Sequence, residues 1–228
     1  MMNQRQYKDT FVIGFAIFAM FFGAGNLIFP PYLGLITGQK WFLSFLCFMF
    51  MDMGLSILTL LVVAKLGKGA SGITERLGRI PSCLILTLNA LCLGPLIAIP
   101  RTAATAYEFS IAPFFPSFNG KYFSILFFAI VVLFCLKQSK VIDIIGTVFA
   151  PLILLALLIL IVKGILSPLG SIDASASMQS AVAVGVNAGY QTMDVMAAMI
   201  FSASILLTLQ QKHYTDTKQQ FDMIARSG

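Results

Sequence analysis

"FAMFFGAGNLIFPPYLG", residues Phe18–Gly34, is the stretch on which the fold turns. The apolar run that leads into it from Phe11 is of the kind that forms a buried helix. Gly23-Ala24-Gly25-Asn26 then interrupts the run, which resumes through Leu27-Ile28-Phe29. Glycines permit helices to pack closely in a membrane, and that accounts for Gly23 and Gly25. It does not account for Asn26 beside them, nor for Pro30-Pro31 a turn later, since each proline deprives an earlier carbonyl of its helical partner. The stretch reads as a helix broken partway through an apolar segment.

Composition says what surrounds that helix. The chain is 58% hydrophobic and 11% charged, with 21 Phe to a single Trp, whereas soluble proteins carry roughly a quarter charged residues. A soluble chain of 228 residues has too much surface to hide this apolar area, so the solvent for most of it is lipid. A net charge of +6 in a soluble domain would suggest nucleic acid. Here the cations fall in short loops between apolar runs, which fits the anionic membrane surface, and no nucleic-acid partner is expected. Cys47, Cys83, Cys92 and Cys135 lie in or at the edges of apolar runs and lack metal-ligand spacing. They read as small core residues with no disulfide framework.

Six apolar segments can be marked at 10–36, 41–66, 81–108, 122–136, 141–166 and 178–209, each near the roughly 20 residues that a span requires. The expected fold is an all-α polytopic membrane protein, a single membrane domain over residues 1–228. The fourth segment is short and the third and sixth are long, so tilt or a break is expected there. The first segment has the outline of a signal peptide, with Arg5 and Lys8 before the apolar run and small residues after it. Its continuation through Leu27–Tyr32 is apolar, and it is read as a retained span. Arg5, Lys8, Lys65, Lys68, Arg76, Arg79, Lys137, Lys140, Lys212, Lys218 and Arg226 collect on one side, against Lys40, Lys121 and Lys163 on the other. That bias places both termini in the cytoplasm and makes 210–228 a cytoplasmic tail. The basic loop "GKGASGITERLGRIP", with Ile73, Leu77 and Ile80 at helical spacing, is expected to lie as a short helix on the inner membrane surface.

A second interruption matches the first. The sixth segment reads "SAVAVGVNAGYQTMDVMAAMIFSASILL", and its centre, Asn187 to Asp194, is polar. Non-helical backbone at membrane depth is tolerated only where protein or a watery cavity satisfies it. Two segments interrupted near their midpoints point to the binding site of a secondary transporter. Breaks in the first and sixth segments suit a five-helix inverted repeat, with 10–166 as the first repeat and 178–209 opening a second. A half-helix beginning near Leu27 would aim the N–H groups of Ala24, Gly25 and Asn26 at a carboxylate. The carbonyls from Ala19 to Phe22, with the Asn26 side chain, could coordinate a hard cation. Glycine suits such a place because a ligand must come close to the backbone.

The stretches "FFGAGNLIFPPYLG", "GPLIAIPRTAATAYE" and "GVNAGYQTMDVMAA" closely resemble the BrnQ-type branched-chain amino acid:cation symporters of the LIVCS family. That family is in turn similar to the leucine-transporter-type fold. The resemblance implies uptake of leucine, isoleucine and valine across the bacterial inner membrane by alternating access, coupled to sodium or protons, with no other cofactor. It implies a substrate site at Gly23, Ala24, Gly25, Asn26, Gly189, Tyr190, Gln191 and Thr192. It implies a cation site at Ala19, Phe22, Asn26 and Asp194. Such symporters are much longer, so the chain resembles a truncated form lacking most of the second repeat, and a polypeptide supplying that half is an expected partner. Two other readings stand beside this one: an inactive or assembly-dependent fragment, and a small membrane interaction protein.

Charged residues inside apolar segments are functional candidates by default. Asp52 and Arg101 lie roughly 16 Å and 10 Å from the outer ends of their segments at 1.5 Å per residue. An ion pair between them and an arginine that snorkels outward alone both remain open. Asp194 could bind the cation, carry a proton or cap the half-helix that starts there. Glu108 is expected at the outer interface and His213 in water. No nucleophile–base pair, His/Cys cluster or phosphate loop appears, so no enzyme is expected.

Overall fold

The computed structural model describes residues 4–136, 150–167 and 177–228. Among the described residues the chain is all-α, without strands. It forms two compact units, one from Met1–Ala90 with Gly170–Gly228 and the other from Leu91–Leu169.

In the first unit, α1 (Gln4–Phe21) and α2 (Ala24–Thr37) are the halves of the broken first segment. They bend by 67° at the break. Helix α2 begins at Ala24, three residues earlier than Leu27, and continues through Pro30 and Pro31. The next span is α3 (Trp41–Met49), a π-helical turn (Phe50–Gly54) and α4 (Leu55–Leu66). A short helix α5 (Ser71–Thr74) and a 3₁₀ turn (Glu75–Leu77) lead into α6 (Arg79–Leu91). Of the three apolar residues at helical spacing here, Ile73 packs against the core, while Leu77 and Ile80 are exposed. Beside them Lys68 donates to Glu75 at 2.8 Å, and that carboxylate raises the lysine's pKa above its ordinary value. The pair is solvated and holds little of the fold together.

The second unit contains a π-helical turn (Cys92–Leu96), α7 (Ala98–Ser110), α8 (Gly120–Cys135) and α9 (Ala150–Leu166). The break expected in the long third segment falls at Gly94, whose backbone leaves the helical region just before Pro95. Tyr107 of α7 reaches the Phe118 carbonyl ahead of α8 and stacks obliquely on Phe123 at 5.6 Å. Arg101 and Glu108 lie on α7; Asp52 belongs to the first unit.

The first unit closes with α10 (Met178–Gln191), α11 (Asp194–Gln211) and α12 (Thr217–Ser227). The interruption between α10 and α11 is narrower than the polar stretch Asn187–Asp194 suggests. Helical backbone persists to Gln191, and Met193 carries the break with a left-handed φ of 64°. The run Met178–Gln211 is 34 residues long, and with Trp41–Leu66 and Arg79–Ser110 it is long and apolar enough to cross a membrane. The bent first pair makes a fourth candidate, while 120–135 and 151–166 are shorter apolar helices. Six full spans are thus not seen among the described residues, and 141–149 of the fifth expected segment lie outside them. Exposed Phe, Leu, Ile and Val side chains along these helices suit lipid contact.

Helix α10 lies on α3 backbone to backbone. A Cβ at Gly185 would overlap the Ser44 carbonyl oxygen, and one at Gly189 would sit 2.7 Å from that of Phe48. The contact positions an apolar cluster of Leu33, Phe48 and Ala188. A larger cluster joins Ile13 and Ile17 of α1, Leu60, Val63 and Ala64 of α4, Ile205, Leu206 and Leu209 of α11, and Met223 and Ile224 of α12. The tail beyond α11 therefore holds a packed helix. Its attachment is also polar: Asp9, 8% exposed, accepts from Lys212 at 2.6 Å and from the Tyr214 hydroxyl at 3.0 Å. Gln220 of α12 donates to the Tyr214 carbonyl at 2.9 Å. His213, between these groups, is exposed.

Two outcomes test this packing. Gly185→Leu is expected to destabilise by about 1–3 kcal/mol or more, because the clash is with backbone that has no rotamer to change. Gly34→Ala, where a Cβ meets nothing within 4 Å, is expected to be neutral or slightly stabilising. Thermal unfolding in detergent, followed by Trp41 fluorescence, separates the two variants. Lys212→Met removes the ammonium that meets the Asp9 carboxylate at 2.6 Å and is expected to lower stability by about 1–3 kcal/mol. Lys218→Met, at an exposed position of α12, is expected to leave the unfolding temperature unchanged.

Candidate functional site

The two breaks meet. A Cβ built on Gly25, in the first turn of α2, would touch Thr192 Cγ2 at 3.4 Å, which places the first break against the second. Asn26 and Asp194 line one cavity of about 250 Å³, together with Phe22, Met53 and Ser56. Gln191 and Asn187 line another, of about 400 Å³, with Phe29 and Tyr32 of α2 opposite them. The segments that contribute these residues are far apart in sequence, and the α10–α3 contact brings them together.

At the first break the backbone is short of hydrogen-bond partners on both sides. Helix α1 ends at Phe21, and its last carbonyls have no following turn to bond. One of them, that of Phe21, accepts from Asn26 Nδ2 at 3.3 Å. The amide nitrogen is thus committed to α1, and the amide oxygen is the acceptor that Asn26 can offer a cation. Gly23 takes an extended conformation as N-cap of α2, with no side-chain cap, so the amides of Ala24 and Gly25 open the helix. The Asn26 amide turns back to the Gly23 carbonyl at 3.2 Å. Pro30 has no N–H to give the Asn26 carbonyl, nor Pro31 that of Leu27, which leaves further acceptors near the break.

At the second break Thr192 is buried and its hydroxyl donates to the Gly189 carbonyl at 2.7 Å, closing the end of α10. Asp194 is the first residue of α11; the capping position belongs to Met193, so the carboxylate lies in the first turn without being the cap. Negative charge there is favoured by the helix dipole. Asn89 of α6 donates to the Met196 carbonyl at 3.2 Å and ties α6 to this first turn. Its Oδ1 is buried without a partner.

Of the residues expected at a substrate site, Gly25 and Thr192 face each other, and Asn26 and Gln191 line the two cavities. Gly23 is exposed at the break and Ala24 opens α2. Gly189 lies inside α10 and presents its bare face to α3. Tyr190 is 75% exposed and lines neither cavity. Of the residues expected at a cation site, Phe22, Asn26 and Asp194 share a cavity, and Ala19 lies in the last turn of α1. Among the described residues no group of three or more His, Cys, Asp or Glu side chains gathers as a metal cage. All four cysteines are free.

Asp52 belongs with this constellation, where the sequence had left open a pair with Arg101 or an Arg101 that snorkels alone. It is 1% exposed in the π-helical turn, and the Thr192 and Asp194 side chains stand beside its carboxyl. The signal in the sequence was its depth in an apolar segment; what it faces depends on the packing of α10.

The architecture defines an α-helical membrane protein with two interrupted helices abutting at their breaks. Over residues 6–228 the sequence matches the family described as branched-chain amino acid transport protein, and the chain belongs to that family. It is 40% identical over 97% of its length to a Staphylococcus aureus protein of strain USA300 named "Putative branched-chain amino acid carrier protein". The counterpart in strain MRSA252 is 39% identical. The chain spans about half the length of these curated relatives, 52% in each case. No solved structure matches it.

Proposed function

We propose that this chain carries the substrate- and cation-binding half of a branched-chain amino acid symporter of the BrnQ (LIVCS) type. The observation that supports the reading best is the meeting of the two breaks, Gly25 against Thr192, with Asn26 and Asp194 lining one cavity. Family membership supplies the substrate class, since the relatives are named as branched-chain amino acid carriers.

In this reading the chain is one membrane domain in the bacterial inner membrane with both termini cytoplasmic. Residues 10–166 form the first five-helix repeat, and 178–209 open an inverted second repeat. The amides of Ala24 and Gly25 receive the substrate carboxylate at the start of α2. Gly23, Asn26, Gly189, Tyr190, Gln191 and Thr192 complete the substrate site. The branched side chain enters apolar surroundings, and there one methylene changes binding by only about 1–3 kcal/mol, which gives breadth across leucine, isoleucine and valine. The coupling ion, sodium or proton, binds near the carbonyls of Ala19 and Phe22, the Asn26 amide oxygen and Asp194. Alternating access moves the bundle about these breaks.

The test is binding and vesicle uptake of radiolabelled leucine, with sodium and pH gradients imposed separately. Binding competed by isoleucine and valine but not by lysine supports the reading, and binding competed equally by lysine overturns it. Gly25→Leu is expected to abolish leucine binding, because its side chain would fill the approach to the α2 amides and press on Thr192 and Phe29. Unchanged affinity in that variant would show that Gly25 only packs. Asp194→Asn is expected to shift the cation dependence of uptake while isoleucine and valine compete as before. Superimposable cation curves for the two proteins would remove Asp194 from coupling.

A further inference from the structure

We infer that α12 (Thr217–Ser227) is a lid over the cavity that holds Asn26 and Asp194, latched shut by Asp9, Lys212 and Tyr214. The lid follows from packing within this unit; that it governs entry of an amino acid or a cation rests on the transport reading above.

The helix runs into the bundle rather than across its end. A Cβ on Gly67, where α4 ends, would meet Thr217 Oγ1 at 3.4 Å, and one on Gly228 would meet Ile57 in the first turn of α4 at 3.3 Å. Helix α12 therefore lies antiparallel along α4. On α1, the Thr10 hydroxyl donates to Met223 Sδ at 3.6 Å, and a Cβ on Gly14 would be 3.0 Å from the Ser227 carbonyl oxygen. Both contacts advance by one helical turn, so α12 runs parallel to α1 and toward the first break. Its eleven residues carry it about 16 Å inward. There Ser227 and Gly228 line the cavity of about 250 Å³ together with Asn26 and Asp194.

The attachment of α12 is shallow in apolar terms. Its fully buried residues are Gln220, Met223 and Ile224, and Lys218, Asp222 and Arg226 recur along the opposite face in exposed positions. Segments with few buried apolar contacts are the first to open in a native protein. Polar contacts at its near end hold it down. Asp9 of α1 accepts from Lys212 at 2.6 Å and from the Tyr214 hydroxyl at 3.0 Å, and Gln220 donates to the Tyr214 carbonyl at 2.9 Å.

The chain before α12 has the form of a hinge. Helix α11 is closed off at His213, whose φ of 72° is left-handed, and the Tyr214 amide bonds back to the Leu209 carbonyl at 3.0 Å. Thr215 and Asp216 follow, exposed and outside either helix, and α12 can swing about them without unwinding α11. Such a swing uncovers Ile17 and Ser56, which are buried and line the cavity. It also frees α1 from α4, which α12 bridges, and α1 is the half-helix that ends at the first break.

The test reads thiol accessibility in the purified full chain in detergent, without leucine. Ser56→Cys is introduced with Cys47, Cys83, Cys92 and Cys135 replaced by alanine, and its modification by a water-soluble maleimide is timed well below the unfolding temperature. Thr37→Cys, as deeply buried but on α2, is timed in parallel. Lys212→Met is expected to speed modification at Ser56→Cys by about 10-fold or more, through a larger open population, and to leave the rate at Thr37→Cys unchanged. Lys212→Arg, which keeps the cation, is expected to restore the slow rate. If Lys212→Met does not fold, Tyr214→Phe, which keeps the ring and removes the hydroxyl, is expected to give a smaller increase at Ser56→Cys only. Equal rates at Ser56→Cys with and without the latch overturn the lid. Equal increases at both reporters also overturn it, since they mean that the whole unit has loosened. The assay contains no amino acid, so a selective increase at Ser56→Cys in a chain that binds no leucine keeps the lid and removes the transport reading instead.

Discussion

The backbone contact between α10 and α3 is the constraint on which the first unit depends. Helices in lipid gain no hydrophobic free energy by meeting, so their association relies on close van der Waals packing. Gly185 and Gly189 let α10 approach until a single Cβ would overlap the carbonyls of Ser44 and Phe48. This close approach fixes the axial position of α10 against the second span. The end of α10 is thereby held beside Asp52, and α2, packed on both α3 and α10, brings Gly25 to Thr192. Three features distant in sequence then occupy one layer: the first break, the second break and the π-helical turn.

That there would be two breaks was legible in the residues, because a glycine pair followed by asparagine and a polar octet in an apolar segment have few other uses in lipid. Their extents were less legible. Asn187, Gly189 and Gln191 are compatible with helix, and in the structure they stay helical until Met193 turns left-handed. Gly189, which looked like part of the break, gives its bare face to α3. Periodicity cannot reveal this, since a glycine that packs and a glycine that bends read alike. Asp52 was visible as a carboxylate at depth, but its neighbours are set by a π turn, and an inserted residue in a helix changes which face a side chain takes without altering composition.

The tail shows a different kind of gap. The charge bias marked it only as a cytoplasmic tail, yet Gln220, Met223 and Ile224 recur at helical spacing and are buried against α1 and α4. Charge counting treats Lys212 as one more cation on the inner side. In the structure it is the partner of Asp9, a residue 8% exposed, and Tyr214 accompanies it. The pairing depends on the start of α1 lying beside the end of α11, which no local pattern encodes.

The two apolar clusters of this unit divide at the breaks. One draws on α1, α4, α11 and α12, the other on α2, α3 and α10. The chain passes from one cluster to the other at Phe22–Gly23 and again at Thr192–Met193, where helical hydrogen bonding lapses. At the two breaks the half-helices are anchored in different clusters, while the second span joins the same two clusters through its π-helical turn, Phe50–Gly54, without a break. The residues that lose backbone partners there are the ones that gather around Asn26, Asp52 and Asp194. The two lapses in helical backbone and the polar side chains of Asn26, Thr192 and Asp194 therefore fall in the same layer of the bundle.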